Sequence, residues 1–132
     1  MNRIFPFISV DDATSAIELY KEAFNASLIG DITYFSAFEP EAVYKDKIAH
    51  AAIKVEQSQF FIGEAIDQPY VGDTRFTVNV ELPSKEQVIH AFNTLEKDAK
   101  EVFGGLEEQA WSELGFTLRD AFGVIWLVYF RK

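Results

Sequence analysis

The sequence predicts an α+β fold: two βαβββ modules whose strands form a curved mixed sheet with a concave cavity. Three observations predict it. Leu114 to Phe130 (LGFTLRDAFGVIWLVYF) places two runs of β-branched and aromatic residues around the short turn Asp120-Ala121-Phe122-Gly123, which reads as a hairpin. His50 to Ile66 (HAAIKVEQSQFFIGEAI) repeats that plan. Each hairpin follows a segment with helical apolar spacing, so the chain reads as one unit built twice.

Taken in order, Arg3 to Val10 is a strand, at an edge or with a bulge because Pro6 has no N–H for a ladder. Asp11-Asp12 offers N-caps to a helix that buries Ala16, Ile17, Tyr20, Ala23 and Phe24. Ser27 to Ala37 is a strand with Gly30-Asp31 as a bulge or bend, and Phe38 to Asp46 is a charged loop. The first hairpin pairs Lys47–Glu56 with Gln59–Ile66 around Gln57-Ser58. Asp67 to Thr74 (DQPYVGDT) is the polar joint between the halves. Arg75 to Leu82 alternates as a half-buried strand. Ser84 with Gln87 forms a capping box for a helix reaching about Asp98 and burying Val88, Ile89, Phe92 and Leu95. Lys100 to Gln109 holds a strand broken at Gly104-Gly105, and the last hairpin follows. With the helix caps in register, Ile8 matches Val80. With the hairpin turns in register, Ile62 matches Trp126 and His50 matches Leu114.

The 132 residues make one domain, 1–132, with module 1 at about 1–68 and module 2 at about 74–132. Apolar residues are 48% of the chain and thirteen are Phe, enough for a sizeable core. With no cysteine, disulfides, thiolate metal sites and cysteine nucleophiles are excluded. No run approaches the roughly 20 apolar residues that span a bilayer. The N-terminus lacks the pattern of a secretory signal, so no membrane partner and a cytoplasmic location are expected. The net charge of −9 disfavours a nucleic-acid partner, permits a cationic ligand, and otherwise serves solubility. No G-x-S-x-G, phosphate-binding loop, dinucleotide fingerprint or H-E-x-x-H occurs, and no glycine-rich segment would cradle S-adenosylmethionine.

A few side chains have chemistry to offer. His50 starts a strand: it is either a hydrogen-bonded strand-end histidine or an acid/base near neutral pH. Glu64 lies in the apolar run FFIGEAI on the face of Phe60 and Ile62, opposite Phe61, Gly63 and Ala65. It points either to water or to the cavity, where it and His50 would reach one ligand. Trp111 covers a cavity mouth or simply packs, and Trp126 reads as core or interface. Tyr34, Tyr44 and Tyr70 lie in or beside loops with hydroxyls to offer. Arg119 beside Asp120 is a surface ion pair of little worth or a holder of a ligand carboxylate. His90 lies on the outer face of the second helix and is discounted.

The segment Trp111, Gly115, Asp120-x-Phe122-Gly123-Val124-x-Trp126 resembles the C-terminal signature of PhnB-like proteins, members of the vicinal oxygen chelate superfamily with glyoxalase I, bleomycin-resistance proteins and extradiol dioxygenases. Phe7-Ile8-x-Val10-x-Asp12-Ala13-x-x-Ala16-Ile17-x-Leu19-Tyr20-x-x-Ala23-Phe24 is similar to that family's first strand and helix, and His50-Ala51 to a feature of its third strand. The resemblance implies a glyoxalase-like domain of paired βαβββ modules, a homodimer, and a divalent cation held by His, Gln and Glu from first and last module strands. This sequence departs there. Phe5, with Pro6 and Phe7, stands at the first-strand position, and Thr77 or Asn79 at its counterpart. Leu127 replaces the last-strand glutamate, and Gly63 beside Glu64 is its equivalent. No metal site and no cofactor are therefore expected. The expected function is binding of a small, partly apolar molecule, with a cationic one permitted, in an aromatic-lined cavity contributed by His50, Glu64, Trp111, Tyr34, Phe5 and Phe7. The alternatives are a lyase, isomerase or dioxygenase of the same superfamily using a non-standard metal set or His50 as acid/base, and a protein that fills its own cavity with Phe and acts through its dimer surface.

Overall fold

The structure, a computed structural model, describes residues 2–130; Met1, Arg131 and Lys132, the ends of the two expected modules, lie outside the described residues. The chain divides into two compact units. One holds the chain up to Lys21 with Asn25–Pro69, the other Glu22–Phe24 and the chain from Tyr70 on. The order is β1 (Phe7–Val10), α1 (Ala13–Phe24), β2 (Ser27–Tyr34), β3 (Ile48–Val55), β4 (Ser58–Glu64), then β5 (Val78–Leu82), α2 (Lys85–Leu95), β6 (Glu101–Gln109), β7 (Ser112–Arg119) and β8 (Ile125–Phe130). This is βαβββ twice. The strands form two four-stranded mixed sheets, ordered β1-β4-β3-β2 and β5-β8-β7-β6, with only the β1–β4 and β5–β8 pairs parallel.

In the first unit, β1 begins at Phe7 rather than at Arg3. Pro6 cannot donate, and its carbonyl instead accepts from the Phe61 amide at 2.9 Å. Asp12 caps α1, its Oδ1 accepting from the Ser15 amide at 3.1 Å, and Asn25 ends the helix in the left-handed region. Gly30, at φ +69°, opens the expected bulge, and the β2–β3 register shifts between Ile29 and Thr33. Phe35–Ala37 closes β2 as a single 3-10 turn rather than as strand. The loop after it is more than a solvated connector: the Phe35 ring packs on Phe38 (5.7 Å) and Tyr44 (5.1 Å), and the Tyr44 hydroxyl donates to Glu39.

In the second unit, the Ser84 hydroxyl accepts from the Gln87 amide and donates to Gln87 Oε1. α2 buries Val88, Ala91 and Leu95, whereas Ile89 is 41% exposed. The expected stripe is thus corrected by a rotation: a helix burying positions 88, 91 and 95 turns 89 outward. Phe92 meets Phe116 edge-on at 5.1 Å. β6 runs through Gly104-Gly105 without ending, the glycines marking register shifts against β7. Trp126, Phe116, Leu118 and Val128 are fully buried, each contributing about 1.5–3 kcal/mol by removal from water.

The strand registers correct the expected internal match. With the helix caps Asp12 and Ser84 in register, Ile8 pairs with Ile62 and Val80 with Val128. Ile62 therefore corresponds to Val128, not Trp126, and the pairs Ala51↔Ile62 and Phe116↔Val128 make Gly115 the counterpart of His50.

Candidate functional site

Strand pairing distributes the candidate residues of the first unit. β3 and β4 pair as Ala51↔Ile62, Ala52↔Phe61 and Ile53↔Phe60, and β1 adds Phe7↔Phe61 and Ile8↔Ile62. Paired residues share a face, and faces alternate along a strand. Ile8, Ala51, Ile53, Phe60 and Ile62 are all buried on one face, where Phe60 meets Tyr20 of α1 at 6.0 Å. Phe7, His50, Ala52, Lys54, Phe61 and Gly63 share the other, helix-free face.

Four rings gather there. The His50 imidazole lies 4.8 Å from Phe61 and 6.2 Å from Phe7, and Phe5 lies 5.2 Å from Phe61. Gly63 permits this. A Cβ at Gly63 would lie 2.6 Å from the Ala49 carbonyl and 3.0 Å from Phe7 Cζ, so only a missing side chain lets Phe7 settle over the sheet. Phe7 remains 52% exposed and His50 half-buried. Among the described residues, neither nitrogen of His50 has a hydrogen-bond partner in the protein. The strand-end reading of His50, a histidine satisfied by the protein, thus gives way to one with its polar atoms open. The structure brings His50, Phe5 and Phe7 together, and adds Phe61 and Gly63, which the sequence reading had not selected.

Glu64 belongs to the opposite face. Its Oε2 accepts from the amide of Ala13, the first residue of α1, at 3.2 Å, and its Oε1 from the Ile48 amide at 2.6 Å. The carboxylate fastens the end of β4 to the helix start and to the start of β3, a site where a negative charge is favourable. The expectation that His50 and Glu64 reach one ligand is corrected: the sheet lies between them. Tyr34 ends β2 opposite Ile48, partly exposed at the sheet margin.

In the second unit, Trp111 sits in the β6–β7 turn, 57% exposed and without a ring contact among the described residues. Arg119 is not a surface ion-pair residue. It is 3% exposed, and its guanidinium donates to the carbonyls of Gly72 (3.1 Å), Asp73 (3.2 Å) and Gly123 (3.4 Å), with Glu101 at 3.8 Å. It straps the segment at Gly72-Asp73 to the final hairpin. Asp120 is fully buried. Its Oδ1 accepts from the amides of Phe122 and Val124 and its Oδ2 from the Trp126 indole at 2.8 Å. Gly123 turns at φ +92°, and the Tyr70 ring fills the space that a Cβ there would need. The spacing of Asp120, Gly123 and Trp126 is thus the wiring of a turn. His90 Nε2 lies 2.7 Å from the Glu22 carbonyl, which can only accept, near the end of α1.

Three surface turns and caps shift the acid–base groups they hold. Hydrogen bonds from the Ser15 amide and hydroxyl, with Lys47 nearby, hold the Asp12 carboxyl below its usual range. The Arg75 side chain and amide do the same for Asp73. The bond to Glu39 raises the Tyr44 hydroxyl.

Residues 2–128 match the Glyoxalase/Bleomycin resistance protein/Dioxygenase superfamily. The chain belongs to this superfamily. A search of curated proteins finds no match. Among solved structures, protein PA1353 of Pseudomonas aeruginosa is similar at TM-score 0.85 and 23% identity, over 99% of this chain and 98% of that one. A PhnB protein from Bacillus cereus follows at TM-score 0.78 and 17% identity, over 98% and 99%. The fosfomycin resistance protein FosX of Listeria monocytogenes is similar at TM-score 0.68 and 10% identity, over 100% and 92%. These likenesses establish the fold.

The residues that the resemblance places at the superfamily's metal positions do not have the donor chemistry of a divalent-cation site. Phe5 and Phe7, Thr77 and Asn79, Gly63 and Leu127 together offer one amide and one hydroxyl oxygen. In the observed register Leu127 corresponds to Phe61 and Gly63 to Tyr129, which supplies no carboxylate either. Among the described residues, no three His, Cys, Asp or Glu side chains cluster as a metal would require.

Proposed function

We propose that this protein binds a small, partly apolar molecule on the helix-free face of β1, β4 and β3, without the superfamily's metal chemistry. One observation carries the reading: the His50 ring lies against Phe61, near Phe7, with both nitrogens unbonded to protein. An apolar surface with a polar atom waiting on it matches the general make-up of ligand sites. Phe5 completes the aromatic wall. The superfamily includes bleomycin-resistance proteins and a structural neighbour is a fosfomycin resistance protein, so small-molecule capture suits the fold. Binding is favoured over catalysis because the paired His50–Glu64 chemistry has lost its geometry.

Titration of uniformly 15N-labelled protein with a panel of small aromatic and heteroaromatic compounds tests this. The amides of His50, Phe61 and Gly63 shift first, and Phe7→Ala weakens binding about fivefold to tenfold, the effect of removing a half-buried ring. A panel that leaves these three amides unmoved overturns the reading. We further propose that the protein works as a cytoplasmic homodimer, since β1, β2, β5 and β6 each end a sheet and present an edge. Light scattering that finds only a 15.0 kDa species removes the dimer.

A further inference from the structure

Resting on that binding reading, we infer the ligand's class: a flat aromatic anion, a conjugated ring bearing a carboxylate or an acidic enol or phenol oxygen. Strand registers lay out the helix-free face in rows. The middle row runs Phe7–Phe61–Ala52–Ile29. Ala52 is its one short side chain, so the row has a shelf floored by a methyl group and walled by Phe61 and Ile29. Those walls stand on strands two spacings apart, about 9–10 Å between backbones. A ring seated between them contacts each wall at about 3.5–4 Å.

The ends of the shelf carry positive or protonatable groups. His50 and Lys54 flank Ala52 on β3 by two residues each, about 7 Å along the strand on either side. Gly63 and Thr33 lie opposite His50, and Gln59 and Ser27 opposite Lys54. Neither charge-capable group is used by the protein: His50 has no hydrogen bond, and Lys54 no ion pair, among the described residues. No carboxylate shares the face on β1, β3 or β4, because Glu64 turns to the helix side. Asp31 is the acidic residue of β2, and it lies in the edge bulge beyond Gly30. The chain as a whole carries −9, which permits a cationic ligand, but the charged side chain that β1, β3 and β4 place on this face is Lys54, a cation. A lysine and an open imidazole on an otherwise acidic protein favour an anion.

Three probes that share one ring system and differ in charge provide the test: 2-naphthoate, 2-naphthylmethanol and 2-naphthylmethylamine, titrated at pH 7 into 15N-labelled full-length protein. Naphthoate binds about fivefold to tenfold more tightly than the alcohol, the size of one charge-assisted hydrogen bond at a half-exposed site, and the amine binds most weakly. Lys54→Gln and His50→Gln each remove much of that preference, weakening naphthoate several-fold more than the alcohol. Alcohol or amine binding as tightly as naphthoate, with shifts at His50, Phe61 and Gly63, overturns the anion assignment and leaves the site standing. A naphthoate preference that survives both substitutions overturns it as well. If none of the three probes moves those amides, the site itself falls.

Discussion

Replacing Asp120 by Ala removes a single acceptor group on which three donors depend. The carboxylate is inaccessible to solvent and takes the Phe122 amide at 2.8 Å, the Val124 amide at 3.0 Å and the Trp126 indole N–H at 2.8 Å. Hydrogen bonds to a charged group contribute about 1.5–3 kcal/mol each, and a buried donor left unpaired costs about 1–3 kcal/mol. The two turn amides belong to residues that stay half-buried and can recover water. The Trp126 side chain is wholly enclosed and cannot. The expected loss is therefore about 3–5 kcal/mol, the range for breaking a buried charged network, out of a total that is typically about 5–15 kcal/mol. Asp120→Asn keeps an oxygen for the turn amides but turns an NH2 toward the indole N–H, and costs about 2–3 kcal/mol. Urea unfolding followed by tryptophan fluorescence measures both, read from the midpoint at unchanged slope. Trp126→Phe closes a double-mutant cycle: with the indole N–H gone, Asp120→Ala costs about 1–2 kcal/mol less than in the parent. A loss below about 1 kcal/mol for Asp120→Ala, or additivity in the cycle, refutes the view that this carboxylate organises the hairpin.

Three further outcomes follow from the same geometry. Glu64→Gln keeps one acceptor for the amides of Ala13 and Ile48 and lowers stability by about 1–2 kcal/mol. Hydrogen exchange at Ile48 speeds up, while ligand shifts at His50 stay unchanged. Arg119→Lys cannot span three carbonyls, so limited proteolysis at residues 70–75 rises about tenfold, as an opening cost lower by about 1.4 kcal/mol requires. Asp12 titrates below the ordinary value of 3.8 in the folded protein, so its contribution is present above that value and lost as pH falls through the lower folded one. Asp12→Asn therefore has a stability profile that falls less steeply than the parent's below about pH 4, measured by thermal melts across pH.

Local rules made most of the fold legible. Asp12 and Ser84 begin helices where their cap chemistry places them, and Gly30 bends β2 where its freedom of φ is needed. Arg119 was not legible. Its burial depends on carbonyls at Gly72 and Asp73, more than forty residues away, and no local pattern announces such a strap. The division between His50 and Glu64 was available in the sequence. A two-residue turn gives cross-strand pairs an odd sum of residue numbers, so an even-numbered His50 shares its face with odd-numbered Phe61 and Gly63, and Glu64 must lie opposite. The observed turn, Glu56-Gln57, sits one residue earlier than the sequence suggests and preserves that parity.

The turn and anchor residues of the final hairpin, and Glu64 and Ile62 of the first, lie away from the face that carries Phe7 and His50. Asp120, Gly123 and Trp126 build the final turn and its helix-side anchor, and Glu64 and Ile62 do comparable work in the first unit. Those positions answer to packing. The helix-free faces answer only to what they touch. In the second sheet the row Asn79–Leu127–Thr117 offers an amide, an isobutyl group and a hydroxyl. In the first, the row Phe7–Phe61–Ala52 offers no ligating atom at all. A divalent cation on either row would gain at most two weak neutral donors in place of the waters they displace, so neither row favours it over water. The first row offers rings, with the His50 imidazole and the Lys54 side chain at its margins. On the proposed reading, such a surface holds a conjugated oxygen acid by stacking and ionic hydrogen bonding.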